Sequence, residues 1–358
     1  MPLSGLLTID LDAIAANWRA LDGISGPGVE TAAVVKADAY GLGVRHVAPA
    51  LARAGARTFF VALAEEGALL RRILGPDPTL YVLDGFAPDE QPLFRDHDLR
   101  PVLNSREQAE RWFTACRGLP SGIQLDSGMN RLGMEETGVP PLPTDGSVRL
   151  VMSHFACADE PRSPMNRAQI LEFGRLAGDL ALPGAALSLA ATGGILLGPE
   201  AHLGLTRPGI GLYGGLPFTD ARPAVRLDVP VIQVRDVAAG EVVGYGATWV
   251  ADRPSRIATI AAGYADGLAR ALGNRASGWH RGRPLPFAGR VSMDLVTLDV
   301  TDAPDVAAGD AVQLLGPDQT IDRLADAAGT VGYEVLTGLG SRYRRRYRGD
   351  GSEWEPEP

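Results

Sequence analysis

A chain of 358 residues, 45% of them hydrophobic, can bury a large core, and its length suits two domains better than one. A formal net charge of −9 argues against a nucleic-acid partner held by phosphate neutralisation. Its two cysteines, Cys116 and Cys157, stand in no metal-ligand spacing and read as free thiols of a reducing compartment. The first residues carry neither a basic nor an apolar signal segment, and the uncharged stretch 180–199 is broken by two prolines and four glycines. A cytoplasmic protein without a membrane partner is therefore expected.

Thr8, Ile9 and Asp10 open the chain as a short strand. Leu11, Ile14, Trp18 and Leu21 then repeat at helical spacing, with Asp10 or Asp12 available as a cap. Apolar runs follow near 31–35, 58–63, 79–83, 99–103, 122–125, 148–153, 187–191 and 209–213. Between them lie segments of helical length and composition, such as 44–54, 64–74, 106–116 and 165–180. Eight strands alternating with helices predict a (β/α)8 barrel. A doubly wound open sheet is the alternative, because counting strands does not show closure.

Three prolines between 217 and 230 mark a boundary. Beyond it, 229–237, 256–261, 291–300 and 311–315 read as strands and 319–328 as a helix, so a mostly β domain is expected. The predicted domains are an α/β barrel over 11–226 and a β domain over 227–348 that also takes in strand 1–10. A flexible acidic tail is expected over 349–358. Arg342, Arg344, Arg345, Arg346 and Arg348 form a basic run, read as a strand edge or as partners for carboxylates of the same chain.

The apolar run ending at Val35 delivers Lys36 directly to a turn that holds Tyr40, Gly41 and Gly43. A lone lysine is normally a solvated surface residue. One placed at the end of a buried strand suits Schiff-base formation, with a carbonyl substrate or with pyridoxal phosphate (PLP). Barrel active sites gather at the C-terminal ends of the strands, with phosphate often bound after strands seven and eight. Lys36 follows predicted strand one, the segment 126–131 follows strand five, and His154 closes strand six. Thr192, Gly193 and Gly194 follow strand seven, and Arg207, Gly209 and Gly211 lead into strand eight. Taken singly, His154 reads as a core histidine, Arg131 as a loop residue and Gly193-Gly194 as an ordinary turn. Their convergence on one barrel end is the signal, and the glycines permit a close backbone approach to phosphate.

These motifs in this order resemble the alanine racemases, a PLP-dependent family with a barrel domain and a β domain. The resemblance covers nearly the whole chain apart from the acidic tail. It runs through Val35-Lys36-Ala37-Asp38-Ala39-Tyr40-Gly41, Gly128-Met129-Asn130-Arg131-Leu132-Gly133, Ser153-His154-Phe155-Ala156 and Arg207-Pro208-Gly209-Ile210. In the second domain it takes in Gly244-Tyr245-Gly246, Gly263-Tyr264-Ala265-Asp266-Gly267, Gly289-Arg290-Val291-Ser292-Met293-Asp294 and Tyr333-Glu334.

The resemblance implies interconversion of L- and D-alanine by two bases on opposite faces of the substrate, supplying D-alanine for the cell wall. Lys36 carries PLP and serves the D-alanine direction. Tyr245 of the partner subunit serves the L-alanine direction, with His154 lying between it and Arg207. A tyrosine, with a reference pKa near ~10, needs an environment that stabilises phenolate before it acts as a base. Arg207 faces the cofactor's ring nitrogen and, being unable to accept a proton, limits the electron sink. Arg131 meets the cofactor's phenolic oxygen and the substrate carboxylate. Tyr40, Thr192, Tyr333 and the amides of Gly209 and Ile210 hold phosphate. Tyr264 and Met293 of the partner subunit border the substrate, so a homodimer with shared sites follows.

The sequence departs from the family at Gln124, where many members carry a carbamylated lysine; a neutral amide, with or without a bound anion, is then expected to orient Arg131. Ala191-Thr192 replaces a common Asn-Ser pair, and Ser292 stands where cysteine is frequent. Competing readings are a racemase of broader range, such as for serine, a related barrel decarboxylase, and a non-catalytic PLP-binding protein. The decarboxylase does not need a second base like Tyr245, and a bare carrier does not need the β domain.

Overall fold

The computed structural model describes residues 4–180 and 182–356. The chain divides into two units, one formed by Ile14–Leu212 and Leu216–Asp220, the other by 4–13, Tyr213–Gly215 and 221–356. The crossing therefore falls slightly earlier than the expected boundary at 226.

The first unit is the predicted barrel. Seven parallel strands follow in sequence order: Ala33–Val34, Thr58–Val61, Thr79–Val82, Leu99–Leu103, Ser121–Gln124, Val148–Met152 and Ala186–Ser188. An eighth, Leu205–Thr206, runs parallel to Glu30–Thr31, the first half of the opening strand. Backbone hydrogen bonds complete the ring. Ala32 and Val34 donate to Thr206 and Pro208, while Gly204 and Arg207 donate to Leu187 and Ala190. The eighth strand is thus joined to both the first and the seventh, which excludes the open doubly wound sheet. Barrel strands are covered on both faces, and accordingly every residue of Thr58–Val61 and of Ser121–Gln124 is buried.

One expected strand is corrected. The apolar run 209–213 is not strand eight; Ile210–Tyr213 is a turn of 3-10 helix that follows it. Both Ile210 and Leu212 are buried, so the run reports burial truly, but burial alone does not distinguish a strand from a tight turn. The correction matters for the site, because it moves Arg207 to the C-terminal end of strand eight.

The second unit is built on the 13-residue strand Val225–Val237. Its first half pairs with Ala311–Leu315 and with the N-terminal strand Leu6–Asp10, and its second half, beyond an irregularity near Val231, pairs with Ser255–Ile260. Leu6–Asp10 alternates, with Leu7 and Ile9 fully buried, so one face meets the core. Asp10 then caps the following helix, accepting from the Ala13 amide at 2.8 Å. The helix expected over 319–328 is present as Ile321–Ala328, capped by Thr320, and a second, Gly332–Gly338, was not expected.

The flexible tail is also corrected. Ser352–Trp354 forms an antiparallel pair with Arg344–Gly349, and Trp354 stacks on Tyr347 with ring centroids 6.1 Å apart. Glu355 pairs with Arg344 and Arg346, and Asp10 with Arg348, so the basic run meets carboxylates of its own chain. Acidic composition read as frayed because it lacked a visible partner; the arginines on the adjoining strand supply one. Residues 357–358 lie outside the described residues. No described helix is long and apolar enough to cross a membrane.

Candidate active site

Strand one carries Lys36 to the barrel mouth. Val34 donates to Pro208 at 3.0 Å and Val35 to Phe60 at 2.9 Å, so the backbone is fixed on both sides up to the residue before the lysine. The amine lies half-buried, and its pKa is held below the usual lysine range, chiefly by burial and then by the Arg131 charge; Asp84 and Glu66 oppose that shift.

The chain then turns in an unusual way. Ala37, Asp38, Ala39 and Tyr40 all adopt left-handed conformations, with φ between 52° and 57°. Non-glycine residues avoid this region because Cβ crowds the carbonyl oxygen. Short bonds hold the turn: Gly41 donates to the Ala37 carbonyl at 2.6 Å, and Val44 to the Asp38 carboxylate at 2.7 Å. The turn buries Tyr40 against strand eight. A Cβ at Gly209 would stand 2.2 Å from the Tyr40 hydroxyl, so glycine is the side chain that this approach admits.

Thr192 sits on the same side of the mouth, almost wholly buried. Its hydroxyl accepts from the Gly209 amide at 3.1 Å and from the Gly211 amide at 3.2 Å. Of the two amides expected to hold phosphate, that of Gly209 is therefore engaged by Thr192. With both lone pairs of Thr192 used, its hydroxyl hydrogen is left to donate. The tight approaches at Gly193 and Gly194 are to Ala158, Ala190 and Phe155, so those two glycines serve the barrel's own close contacts.

Arg207 is the buried cation of the site, only 3% exposed. Its guanidinium donates to the Ser188 hydroxyl, to the Ser153 carbonyl at 2.7 Å, and to His154 Nδ1 at 3.5 Å. These acceptors are all neutral. Burial pushes its pKa down to about 9, which still leaves it charged at neutral pH. Arginine has only donors, so His154 Nδ1 must accept, and the neutral ring carries its proton on Nε2. Burial, and then the charges of Arg207, Arg131 and Lys36, push the His154 pKa down to about 3. Gln169 fixes this histidine from behind, donating to its carbonyl at 2.9 Å.

Lys36, Tyr40, Arg131, His154, Thr192, Arg207, Gly209 and Ile210 thus gather in the barrel unit. The other predicted residues belong to the β unit. Tyr264 donates through its amide to the Ser292 carbonyl at 3.0 Å, and Ala265 to the Met293 carbonyl at 2.9 Å, which joins the Tyr264 and Met293 loops. Arg342 ties the same loops together, with bonds of 2.6 and 2.7 Å to Asp266 and 2.7 Å to Asp294. Tyr245 lies on the turn Tyr245–Ala247, where Gly246 approaches Arg290. Tyr333 stands in Gly332–Gly338. Tyr245, Tyr264, Met293 and Tyr333 are exposed by 72, 45, 54 and 44%.

Residues 9–217 match the family model of the alanine racemase N-terminal domain, and 224–347 that of the C-terminal domain. The chain belongs to the alanine racemase family. An alanine racemase of Cereibacter sphaeroides is 56% identical over 95% of this chain and 97% of its own length. One of Dinoroseobacter shibae is 55% identical, over 96% and 98%. Among solved structures, the Bartonella henselae alanine racemase with covalently bound pyridoxal phosphate superposes with a TM-score of 0.92, at 37% identity, over 97% of this chain and all of that one. The biosynthetic alanine racemase of Pseudomonas aeruginosa gives 0.88 at 39% identity, over 97% and 99%.

The donor set of this alanine racemase family member fits PLP. A phosphate dianion and a carboxylate need donors and positive potential, and the site offers the Thr192 hydroxyl hydrogen, an amine, two guanidinia and a neutral histidine. The departure at Gln124 has a specific outcome. Its amide donates to the Leu132 carbonyl at 3.2 Å, so it fixes the backbone of the residue that follows Arg131. Sequence reasoning missed Glu66, Asp84 and Ser188, together with the Asp266–Arg342–Asp294 clamp. Glu66 left a readable trace, an acid at the third position of a helix that starts just after a strand, and Arg342 left another as part of the basic run expected to meet carboxylates.

Proposed function

We infer that the protein is a PLP-dependent alanine racemase working as a cytoplasmic homodimer and supplying D-alanine to peptidoglycan. We assign Lys36 and Tyr245 of the partner subunit as its two bases. The observation that carries this reading is the state of Lys36: a single amine at the end of strand one, its ammonium disfavoured by burial and by Arg131. Such an amine serves both to attach a carbonyl cofactor and to carry a proton.

PLP, when bound, supplies an electron sink that makes the α-proton of the amino acid labile. Lys36, Tyr40, Thr192 and Ile210 would hold it, with Arg131 meeting its phenolic oxygen and Arg207 its ring nitrogen. Racemisation removes a proton from one face and returns one to the other, so Lys36 needs an opposing base. Arg207 fixes the His154 tautomer by donating to Nδ1, which leaves Nε2–H as a donor. Donation from that group to Tyr245 of the partner subunit would favour phenolate and prepare it as the second base. The exposure of Tyr245, Tyr264 and Met293 in the single chain supports a role completed by a second copy.

Incubation of the protein with PLP and L-alanine in deuterated water tests the reading, with chirality and α-deuterium followed together. Loss of optical activity with α-deuterium in both enantiomers is expected. Binding of PLP with retained alanine chirality would overturn the substrate assignment.

A further inference from the structure

The carboxylate of Glu66 is divided between two tasks. Glu66 is the third residue of the helix Ala64–Leu74. Its Oε2 accepts from the amides of Ala62 and Leu63 at 2.8 and 3.3 Å, which satisfies backbone donors at that helix start. Its Oε1 turns the other way and accepts from the Ala37 amide at 2.7 Å. Ala37 immediately follows Lys36 and is the first of the four left-handed residues that lead to Tyr40. One side chain on strand two's helix therefore grips the backbone on which the strand-one lysine turns.

We propose that Glu66 is a positioning residue for Lys36, holding the left-handed turn 37–40 so that the amine and Tyr40 keep a fixed spacing. This rests on the reading of Lys36 as the cofactor-bearing base. The physical need is plain. A left-handed run of non-glycine residues is unfavourable at every position and persists only when its surroundings impose it. The bond from Ala37 is charge-assisted and acts at the first strained position. Without it, Lys36 gains backbone freedom at its C-terminal side, while strand one still fixes the N-terminal side.

Glu66→Gln separates the two tasks. Glutamine has one oxygen, which suits the helix start, and its NH2 group then faces the Ala37 N–H and cannot accept from it. Two readouts are taken: amide hydrogen exchange on the protein without PLP, and racemisation kinetics with PLP. Faster exchange confined to residues 37–41 is expected. With it, kcat should fall about tenfold while KM for alanine stays within about threefold. Adding Ala37→Gly, which accepts positive φ freely, should restore at least half of the lost kcat on a logarithmic scale.

Unchanged exchange at 37–41 overturns the proposal, as does a kcat within twofold of the parent. Failure of Ala37→Gly to restore rate also overturns it, in favour of a purely electrostatic action of Glu66 on the amine. Should Glu66→Gln fail to fold, Glu66→Asp, which keeps the charge but is one methylene too short to serve the helix start and the Ala37 amide together, takes its place with the same readouts. A parent protein that does not racemise alanine would refute the functional reading, whereas the exchange difference in PLP-free protein bears on Glu66 alone.

Discussion

The barrel unit buries Tyr40, Thr192 and Arg207 of the proposed site, whereas the β unit leaves Tyr245, Tyr264, Met293 and Tyr333 exposed. Arg207 is 3% exposed, and His154 is fixed on two sides by Arg207 and Gln169. Tyr245, by contrast, is 72% exposed, on a turn held by glycines at 244 and 246. Elsewhere the β unit fixes the backbone of the Tyr264 and Met293 loops, through the Arg342 clamp and the Tyr264–Ser292 bond, while leaving those two side chains exposed. A half-site that is rigid in backbone and open in side chain is suited to completion by another surface.

If that contrast is right, the barrel half should govern cofactor attachment and the β half should govern one direction of proton transfer. Lys36→Ala should lose covalent PLP and reduce racemisation by about 10^4-fold or more, with melting of the protein little changed. Absorbance of the bound cofactor and turnover measure both. Tyr245→Phe should retain covalent PLP yet lower L-alanine turnover by roughly 10^2–10^3-fold. Equal loss of PLP in that variant would erase the distinction between the halves.

The partly buried histidine gives a stability consequence for the barrel alone. His154 is neutral when folded, with a pKa of about 3, and returns to about 6.5 on unfolding. The unfolded chain therefore binds more protons between those values, and stability falls as pH drops through that window. His154→Gln should remove part of this loss, up to a few kcal/mol between pH 6.5 and 4, as read by denaturant melts of PLP-free protein. An unchanged pH slope would mean that the ring is not held neutral. In the β unit the smallest effect is expected at the C-terminal hairpin. Trp354→Ala removes the stack on Tyr347 and should cost about 1 kcal/mol, without altering turnover.

Much of the fold was legible because the chain alternates apolar runs and helical segments at a period that only a wound α/β unit satisfies. The lysine at the end of strand one was legible for the same reason, since an ammonium seldom follows a buried strand. Strand eight was misplaced because 209–213 carries the same apolar signal as a strand, while the true strand, Leu205–Thr206, is two residues long. The tail was misread because Glu355 has no visible partner in sequence, although Arg344 and Arg346 lie across the hairpin. Glu66 was passed over because 29 residues separate it from Ala37, and its helix-start role gave a sufficient local explanation.

The sequence by itself determined most of the element types and the two-unit division, and it nominated the residues proposed to carry chemistry, because periodicity and residue type are local properties. Only the tertiary structure decided ring closure, the tautomer of His154, the engagement of the Gly209 amide by Thr192, and the second task of Glu66. Each of these depends on hydrogen bonds between segments far apart in the chain, and the direction of such a bond is set by three-dimensional approach and not by composition.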